Sequence, residues 1–357
     1  MTEPQVTIVV VPREQFSKAE ASLASIYAAT SLPFALVYVD GNSPPPLRDY
    51  LAMEAALRGF TLVRTERYLV ANEARNLGLR HVRTPYVAFV DNDVLVQPGW
   101  LEALLRCAEE TGAWIVGPLY CYAADGTGTP AIVHTAGADL YIVDDGGRRL
   151  HEKHRYVNRP VAEVRPQLRR EPIDLVEFHC MLVRRDALDR MGPLDEKLLS
   201  FLDHIDVCLA AREAGGAVYF EPAATVTHLA PPPFAWMDVL TFLLRWSDAW
   251  LRPSLRQFAA KHHLSADDRE FRNHLWFRNQ HRRRLIAGMR GPVRRFLGKP
   301  GARVLDEIMD RIVFGLLVEY TLVRWLERRR LEGGSGPGEH QSVASEHAAF
   351  PLLRGHS

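Results

Sequence analysis

The sequence has few cysteines, little net charge and no signal-like opening segment. The formal net charge is only +1, which argues against nucleic acid as the main partner. No charged-plus-apolar signal segment opens the chain, so we expect a cytoplasmic location. The four cysteines form no Cys-x-x-Cys pair and are interpreted as small core residues in a reducing compartment: Cys107, Cys121, Cys180 and Cys208.

Apolar runs alternate with segments of helical periodicity over the first 80 residues. Strands that alternate with helices at this spacing predict βαβ units and a parallel sheet, in which ligands bind beyond the carboxyl ends of the strands. The predicted strands are Val6–Val11, Phe34–Val39 and Thr61–Val63, and the predicted helices are Ala19–Ala29, Leu47–Leu57 and Ala71–Leu79.

Two carboxylates follow the next apolar run, Tyr86–Val90, in the triplet Asp91-Asn92-Asp93. Acids one residue apart at a strand end can share a hard divalent cation, which can in turn bridge the oxygens of a diphosphate. The alternative is an Asp/Asn-rich turn that caps a strand. Asp40 ends another predicted strand, so we expect it at the same edge of the sheet.

Seven segments between residues 6 and 230 resemble, in order, the family 2 glycosyltransferases of the GT-A fold. They are the strand ending at Asp40, Asn72-x-x-Arg75-Asn76-x-Gly78, Tyr86–Asp93 followed by Pro98–Leu101, Cys180–Arg185, Met191–Glu196, Asp203–Leu209 followed by Arg212 and Gly215, and Ala224–His228. The resemblance implies a Rossmann-like mixed sheet flanked by helices. It also implies that a sugar moves, with inversion, from a nucleotide-diphospho-sugar donor to a saccharide or other hydroxyl acceptor.

The resemblance implies a cofactor as well, because a metal ion neutralises the charge that builds on a departing diphosphate. Mn²⁺ or Mg²⁺ would be held by Asp93 and His228, with Asp91 on the metal or the ribose; an imidazole ligand favours Mn²⁺ somewhat. The remaining donor-side candidates are Pro12, Glu14, Asp40, Arg75, Asn76 and Asn92. For Arg75 a surface salt bridge is the alternative.

The general base is where this chain departs from the family. Members usually carry Glu-Asp where this sequence has Asp203-His204. His204 could take the acceptor proton with Asp203 or Asp206 orienting it, since an imidazole titrates near neutrality. Alternatively Asp203 is the base and His204 contacts acceptor or phosphate. A site that binds without turnover is a third interpretation.

Two other classes of protein compete with the glycosyltransferase. An apolar strand followed by Asp91-Asn92-Asp93 also resembles the nucleophile loop of haloacid-dehalogenase-type phosphatases. That loop normally opens the fold, whereas three strand candidates precede it here, and no Gly-Asp-x-x-x-Asp segment follows. The other competitor is a non-catalytic scaffold that binds sugar nucleotides.

The sequence predicts a catalytic domain over residues 1–233, with a donor half to about 120 and an acceptor half beyond it. Within the acceptor half, 121–174 is interpreted either as a mobile insertion beside the active site or as a surface hairpin and loop. A helical appendage is predicted over 234–331 and a disordered tail over 332–357.

The appendage holds an acid-free basic run, His281–Arg303, and an apolar centre, Ile312–Val318. Glu319 interrupts the apolar stretch too early for a spanning helix. Two interpretations stay open: burial in a helical subdomain or in a homo-oligomer interface, and peripheral contact with an anionic membrane at its inner face.

Overall fold

The computed structural model describes residues 3–123, 128–144, 146–229, 235–265, 269–325 and 328. The strands are β1 Val6–Val11, β2 Phe34–Gly41, β3 Thr61–Thr65, β4 Tyr86–Asp91, β5 Val94–Val96, β6 Ile115–Ala123, β7 Pro130–Thr135, β8 Ala138–Asp144, β9 Arg148–His154, β10 Glu171–Pro172, β11 Cys180–Arg184 and β12 Val218–His228. The helices are α1 Ala19–Ala29, α2 Pro45–Arg58, α3 Ala71–Leu79, α4 Trp100–Thr111, α5 Val161–Val164, α6 Arg185–Met191, α7 Asp203–Glu213, α8 Val239–Arg245, α9 Asp248–Lys261, α10 Arg269–Leu285 and α11 Ala287–Ile308, which continues as a π-helix, Met309–Val323.

One mixed sheet forms the centre of the catalytic domain, with the strand order β3-β2-β1-β4-β11-β6-β12-β10. Strand β1 is parallel to both β2 and β4. Ile8, Val9 and Val10 are completely buried, since helices cover both faces of this part of the sheet. The predicted parallel sheet is confirmed, and Asp40 and Asp91 lie at the carboxyl ends of β2 and β4.

The predicted helices are confirmed with small differences in their bounds. Ala19–Ala29 and Ala71–Leu79 have the predicted limits. The predicted Leu47–Leu57 extends to Pro45–Arg58, because proline is favoured in the first turn and Gly59, with φ of 72°, supplies the left-handed residue that ends the helix.

The second half of the sheet brings distant segments to the Asp91–Asp93 edge. Strand β11 enters antiparallel between β4 and β6, and β12 runs parallel to β6. Strand β5, which directly follows Asp93, pairs antiparallel with the end of β12, so that His228 is in register with Val94. Backbone pairing therefore holds Asp93 next to His228.

The middle segment contains regular structure. Strands β8 and β9 form an antiparallel hairpin, and β7 adds to the main sheet beside β6. The described part of 121–174 thus contains a hairpin and a strand of the main sheet, and the choice between a mobile insertion and a surface hairpin stays a prediction; residues 124–127 lie outside the described residues.

Helices α8 to α11 and the π-helix pack against the catalytic domain through one face. Phe314, Val318 and Trp250 are buried in a cluster that includes Val70 of the catalytic domain. Leu316 remains more than half exposed. The apolar centre Ile312–Val318 is therefore covered by the protein on one side only. Among the described residues, no helix is both long and apolar enough to cross a membrane. The predicted boundary at 233 and the tail 332–357 lie outside the described residues.

Candidate active site

Asp93 and His228 form a buried pair at the carboxyl edge of the sheet. Asp93 Oδ2 lies 3.7 Å from His228 Nε2. Within the described part of the chain, neither carboxylate oxygen of Asp93 and neither ring nitrogen of His228 has a hydrogen-bond partner. Burial, the largest single effect, lowers the pKa of His228, but Asp93, Glu14 and Asp91 together raise it by more, so the net direction is upward. Buried polar atoms without partners cost free energy, so this pair is suited to bind something.

Asp91 has different partners from Asp93. Its oxygens lie 3.4 Å from both Arg13 Nε and Arg75 Nη2, and 3.1 Å from His179 Nδ1. Burial raises the pKa of Asp91 even though the two guanidinium groups act to lower it. The carboxylate of Asp91 is thus enclosed by nitrogen donors of the chain itself.

Asp203 shares both arginines with Asp91. Arg75 Nη1 donates a 2.6 Å hydrogen bond to Asp203 Oδ2, and Arg13 Nη1 lies 3.5 Å from the same oxygen. Burial acts against ionisation, but Arg13 and Arg75 hold the pKa of Asp203 well below its usual range. The alternative of Arg75 as a surface residue is wrong, because its side chain is completely buried and stacks on Phe178 at 3.6 Å.

His204 is held between two carboxylates. Its Nδ1 lies 3.6 Å from Asp203 Oδ1, and its Nε2 lies 3.5 Å from Glu177 Oε2. Burial lowers the pKa of His204. Glu177 and then Asp203 raise it, and together the carboxylates outweigh burial, so that the net direction is upward. An imidazole in this setting accepts a proton readily.

Glu177 is the centre of a cluster of histidines. Burial would raise its pKa, but His204, His179, His154 and His134 lower it to about 2. Two of these histidines belong to β7 and β9, the strands of the middle segment. The structure therefore brings the middle segment to the candidate base.

Asp206 and Glu14 join the catalytic domain to the C-terminal helices. The oxygens of Asp206 lie 2.8 Å from Lys261 Nζ and 2.8 Å from His262 Nε2, both at the end of α9. Glu14 accepts a 3.0 Å hydrogen bond from Arg245 of α8. Two residues predicted for the site thus have partners in the C-terminal helices. Spacing along the sequence could not have predicted these contacts.

The donor-side candidates near the first two strands are bonded within the chain. Asp40 accepts hydrogen bonds from the backbone N–H and hydroxyl of Ser43, at 2.9 and 2.8 Å, and pairs with Arg64. Pro12 packs against Gly41, where an added Cβ would lie 3.1 Å from Pro12 Cγ.

Helix α3 and the Asp91–Asp93 turn carry the remaining candidates. The Asn76 side-chain amide donates to the Leu194 carbonyl and accepts from the Leu194 N–H, at 2.9 and 3.1 Å, which fastens α3 to the 193–196 turn. The side-chain oxygen of Asn92 accepts from the Arg13 N–H at 2.9 Å. Asn76 and Asn92 therefore position backbone segments around the site.

Three residues at the site were not among the sequence candidates: Arg13, Glu177 and His179. Arg13 lies between two candidates just beyond β1, so the strand-end rule that selected Asp40 could have selected it. Glu177 and His179 precede β11, which was predicted only as an acceptor-side strand, and nothing local marks them.

No three His, Cys, Asp or Glu side chains converge as a metal-binding group anywhere in the described residues. Asp93 and His228 are therefore a pair, and Asp91 has partners of its own in Arg13, Arg75 and His179. A metal bound at the pair would need further ligands from a bound molecule or from water.

The comparison with known families matches the part of the chain that builds this edge of the sheet. The profile of Glycosyl transferase family 2 matches residues 7–192, more than half of the chain. The chain belongs to glycosyltransferase family 2. The match begins in β1 and includes Asp40, α3 and the Asp91–Asp93 turn. Family 2 membership leaves no place for the phosphatase interpretation of Asp91, which is wrong.

Relatives of this family 2 chain are longer or more distant proteins. Pre-mycofactocin glycosyltransferase from two Mycobacterium tuberculosis strains, CDC 1551 / Oshkosh and ATCC 25618 / H37Rv, is 30% identical over 155 residues, 43% of this chain and 29% of that protein. The chain thus matches less than a third of the length of these relatives. GalNAc-T7, solved with UDP, GalNAc and Mn²⁺, has a TM-score of 0.50 at 16% identity, over 78% of this chain and 55% of that one. This likeness confirms the predicted GT-A fold.

Proposed function

We propose that the protein transfers a sugar from a nucleotide-diphospho-sugar to a hydroxyl acceptor, with inversion and with help from a divalent metal ion. The observation that carries this proposal is the unpartnered pair Asp93 and His228, which lies at the same sheet edge as His204 and its two carboxylates. Family 2 membership supplies the class of reaction.

Asp93 and His228 fit a divalent cation. Both carboxylate oxygens of Asp93 and both nitrogens of His228 are buried without hydrogen bonds, and carboxylate oxygen with imidazole nitrogen is a donor set that suits Mn²⁺ and accommodates Mg²⁺ less well. When bound, the cation would supply positive charge to the leaving diphosphate. Asp91 is the less suitable ligand, since Arg13, Arg75 and His179 already surround its carboxylate.

His204 is the better candidate for the base. Asp203 is paired with two arginines and its pKa is far below its usual range, so it has little tendency to accept a proton. The imidazole of His204 would take the proton as the acceptor oxygen attacks the anomeric carbon and the diphosphate leaves. We assign this role to Nε2, because the Nδ1 atom is fully buried beside Asp203 and an acceptor cannot reach it.

Glu177 and Asp203 would stabilise the imidazolium that forms. Both carboxylates lie within 3.6 Å of the ring, one at each nitrogen, and opposite charges in a buried site favour the protonated form. The arrangement supports inversion as well: one base suffices for a single displacement, whereas Asp91 and Asp203 are bound by arginines and poorly placed to act as nucleophiles.

The donor-side residues would act mainly by shaping the pocket. Asp40 remains our candidate for the base or ribose of the nucleotide, and a nucleotide that binds there would share its carboxylate with Ser43 and Arg64. Arg75, Asn76 and Asn92 would position Asp203, the 193–196 turn and the segment after β1. Pro12 would border the same pocket.

Incubation with a panel of nucleotide-sugars and Mn²⁺ tests the proposal. We expect release of a nucleoside diphosphate, accelerated by the correct acceptor and abolished by a chelator. Release of inorganic phosphate would contradict the proposal. Metal-dependent binding of nucleotide-sugars without turnover, whichever acceptor is added, would also contradict it and would favour a non-catalytic sugar-nucleotide scaffold.

A further inference from the structure

The C-terminal helices carry a concentration of positive charge that the catalytic site does not use. Residues 271–305 contain ten of the 44 basic residues of the chain and none of its 43 acidic residues. Four of the ten are exposed on α11 and form no ion pair with any residue that the structure describes: Arg294, Arg295, Lys299 and Arg303. We call these four the basic rim.

An apolar strip lies beside the basic rim. It consists of six large side chains that are between 49% and 82% exposed: Phe296, Leu297, Val304, Ile312, Leu316 and Tyr320. The opposite side of the same helices faces the protein, where Ala302, Phe314 and Val318 are buried. The helices therefore have one face covered by the protein and one apolar face that is not.

The apolar strip has two parts. Phe296 and Leu297 precede the break in α11 at Gly298, and Val304 follows it together with three residues of the π-helix. Ile312, Leu316 and Tyr320 follow at intervals of four, close to one turn. Gly298 has non-helical backbone angles, φ of 66° and ψ of −167°, so α11 bends directly after Phe296 and Leu297. Both side chains thus lie at a bend, where they are the most exposed members of the strip.

The chemistry of this surface selects among partners. A second copy of the chain would bring one basic rim against another across a two-fold axis, which like charges oppose. A nucleic acid would satisfy the basic rim but leave the apolar strip in water. An anionic lipid surface satisfies both, because phosphate headgroups attract arginine and lysine while the acyl boundary takes up Phe and Leu side chains.

We propose that the apolar strip and the basic rim dock the protein onto the surface of an anionic lipid bilayer, with Phe296 and Leu297 inserted at the headgroup boundary. The contact is peripheral. Each basic residue near such a surface contributes roughly fivefold to partitioning, and the inserted apolar side chains add to this.

Co-sedimentation with vesicles tests the proposal on the full chain. We expect binding to vesicles that contain phosphatidylglycerol, at least tenfold weaker binding to pure phosphatidylcholine vesicles, and weaker binding as salt is raised. Phe296→Ser with Leu297→Ser should reduce binding to the anionic vesicles about tenfold or more, and Arg294→Gln with Arg295→Gln should reduce it by a similar factor.

The matched control is Met53→Ser with Leu57→Ser, because these side chains are 58% and 74% exposed on α2, away from the strip. This variant should bind vesicles as the unmodified protein does, and all variants should keep its melting temperature. Equal binding to both vesicle types, equal binding by all variants, or a change of oligomeric state in the Phe296 and Leu297 variant without vesicles would overturn the proposal. The last result would identify a self-interface instead.

Discussion

Arg75 donates a 2.6 Å hydrogen bond to Asp203 across 128 positions of sequence. The pair is buried, and Arg13 approaches the same carboxylate from the segment after β1. Arginine neutralises Asp203 and makes it a weak proton acceptor, which leaves the neighbouring imidazole of His204 as the group suited to take a proton.

Replacing His204 with alanine should lower kcat by about 10² to 10⁴-fold, the usual effect of losing a positioned acid or base. Donor binding, measured by calorimetry, should be unchanged because the Asp93 and His228 pair is untouched. Asp203→Asn should reduce kcat less, since the remaining Glu177 still faces the ring. Full activity in the His204 variant together with an inactive Asp203 variant would assign the base to the carboxylate.

The pH dependence of kcat supplies a separate test. Glu177, Asp203 and more distantly Glu152 raise the pKa of His204, despite burial. The neutral imidazole is the base, so the ascending limb should lie above the ordinary histidine value of about 6.5. Glu177→Gln should move that limb to lower pH, because a charge that favours the imidazolium is lost. An ascending limb near pH 4 that Glu177→Gln leaves in place would indicate a carboxylate base.

Arg75→Met should destabilise the fold by about 3–5 kcal/mol, because it leaves Asp91 and Asp203 buried with one fewer cation. Urea denaturation measures this free energy of unfolding. Arg48→Met is the matched control, since Arg48 pairs with Asp49 at 2.7 Å on the surface, and it should have no measurable effect. Equal stability of the two variants would show that the buried cluster contributes no more than a surface pair.

Asp206→Ala should separate a structural from a catalytic role for that residue. Its contacts with Lys261 and His262 at the end of α9 predict a lower melting temperature, with kcat at a permissive temperature changed only a few-fold and an unshifted pH profile. Melting curves and kcat measured on the same sample check this. A loss of about 10²-fold or more in kcat without any loss of stability would indicate a catalytic role for Asp206.

Local patterns were enough to predict the donor half of the fold. A continuous β-branched run gave β1, an apolar run gave β2, and helical periodicity gave α1 and α3 within their observed limits. Asp93 and His228 were predicted as metal ligands from the resemblance to family 2 glycosyltransferases, and the pairing of β5 with β12 brings them together.

The partners of the other candidates depend on tertiary contacts that spacing does not encode. Glu14 meets Arg245 and Asp206 meets Lys261 only because the C-terminal helices pack on the catalytic domain. Glu177 reaches His204 because the segment before β11 lies beside the first turn of α7. Residue type was enough to select Glu14, Asp206 and His204 as candidates. The role of each depends on which oppositely charged residue the fold places beside it.

Calorimetric titration of UDP and GDP, with and without Mn²⁺, is the decisive measurement for the metal site. We expect Mn²⁺ to strengthen the binding of at least one diphosphate, and Asp93→Ala to weaken that metal-dependent binding by about 10 to 100-fold or more. Asp189→Ala, which changes an acid with a 67% exposed side chain, should keep the full effect of the metal. Unchanged affinity of the Asp93 variant in the presence of Mn²⁺ would contradict the assignment of Asp93 and His228 to the metal and diphosphate.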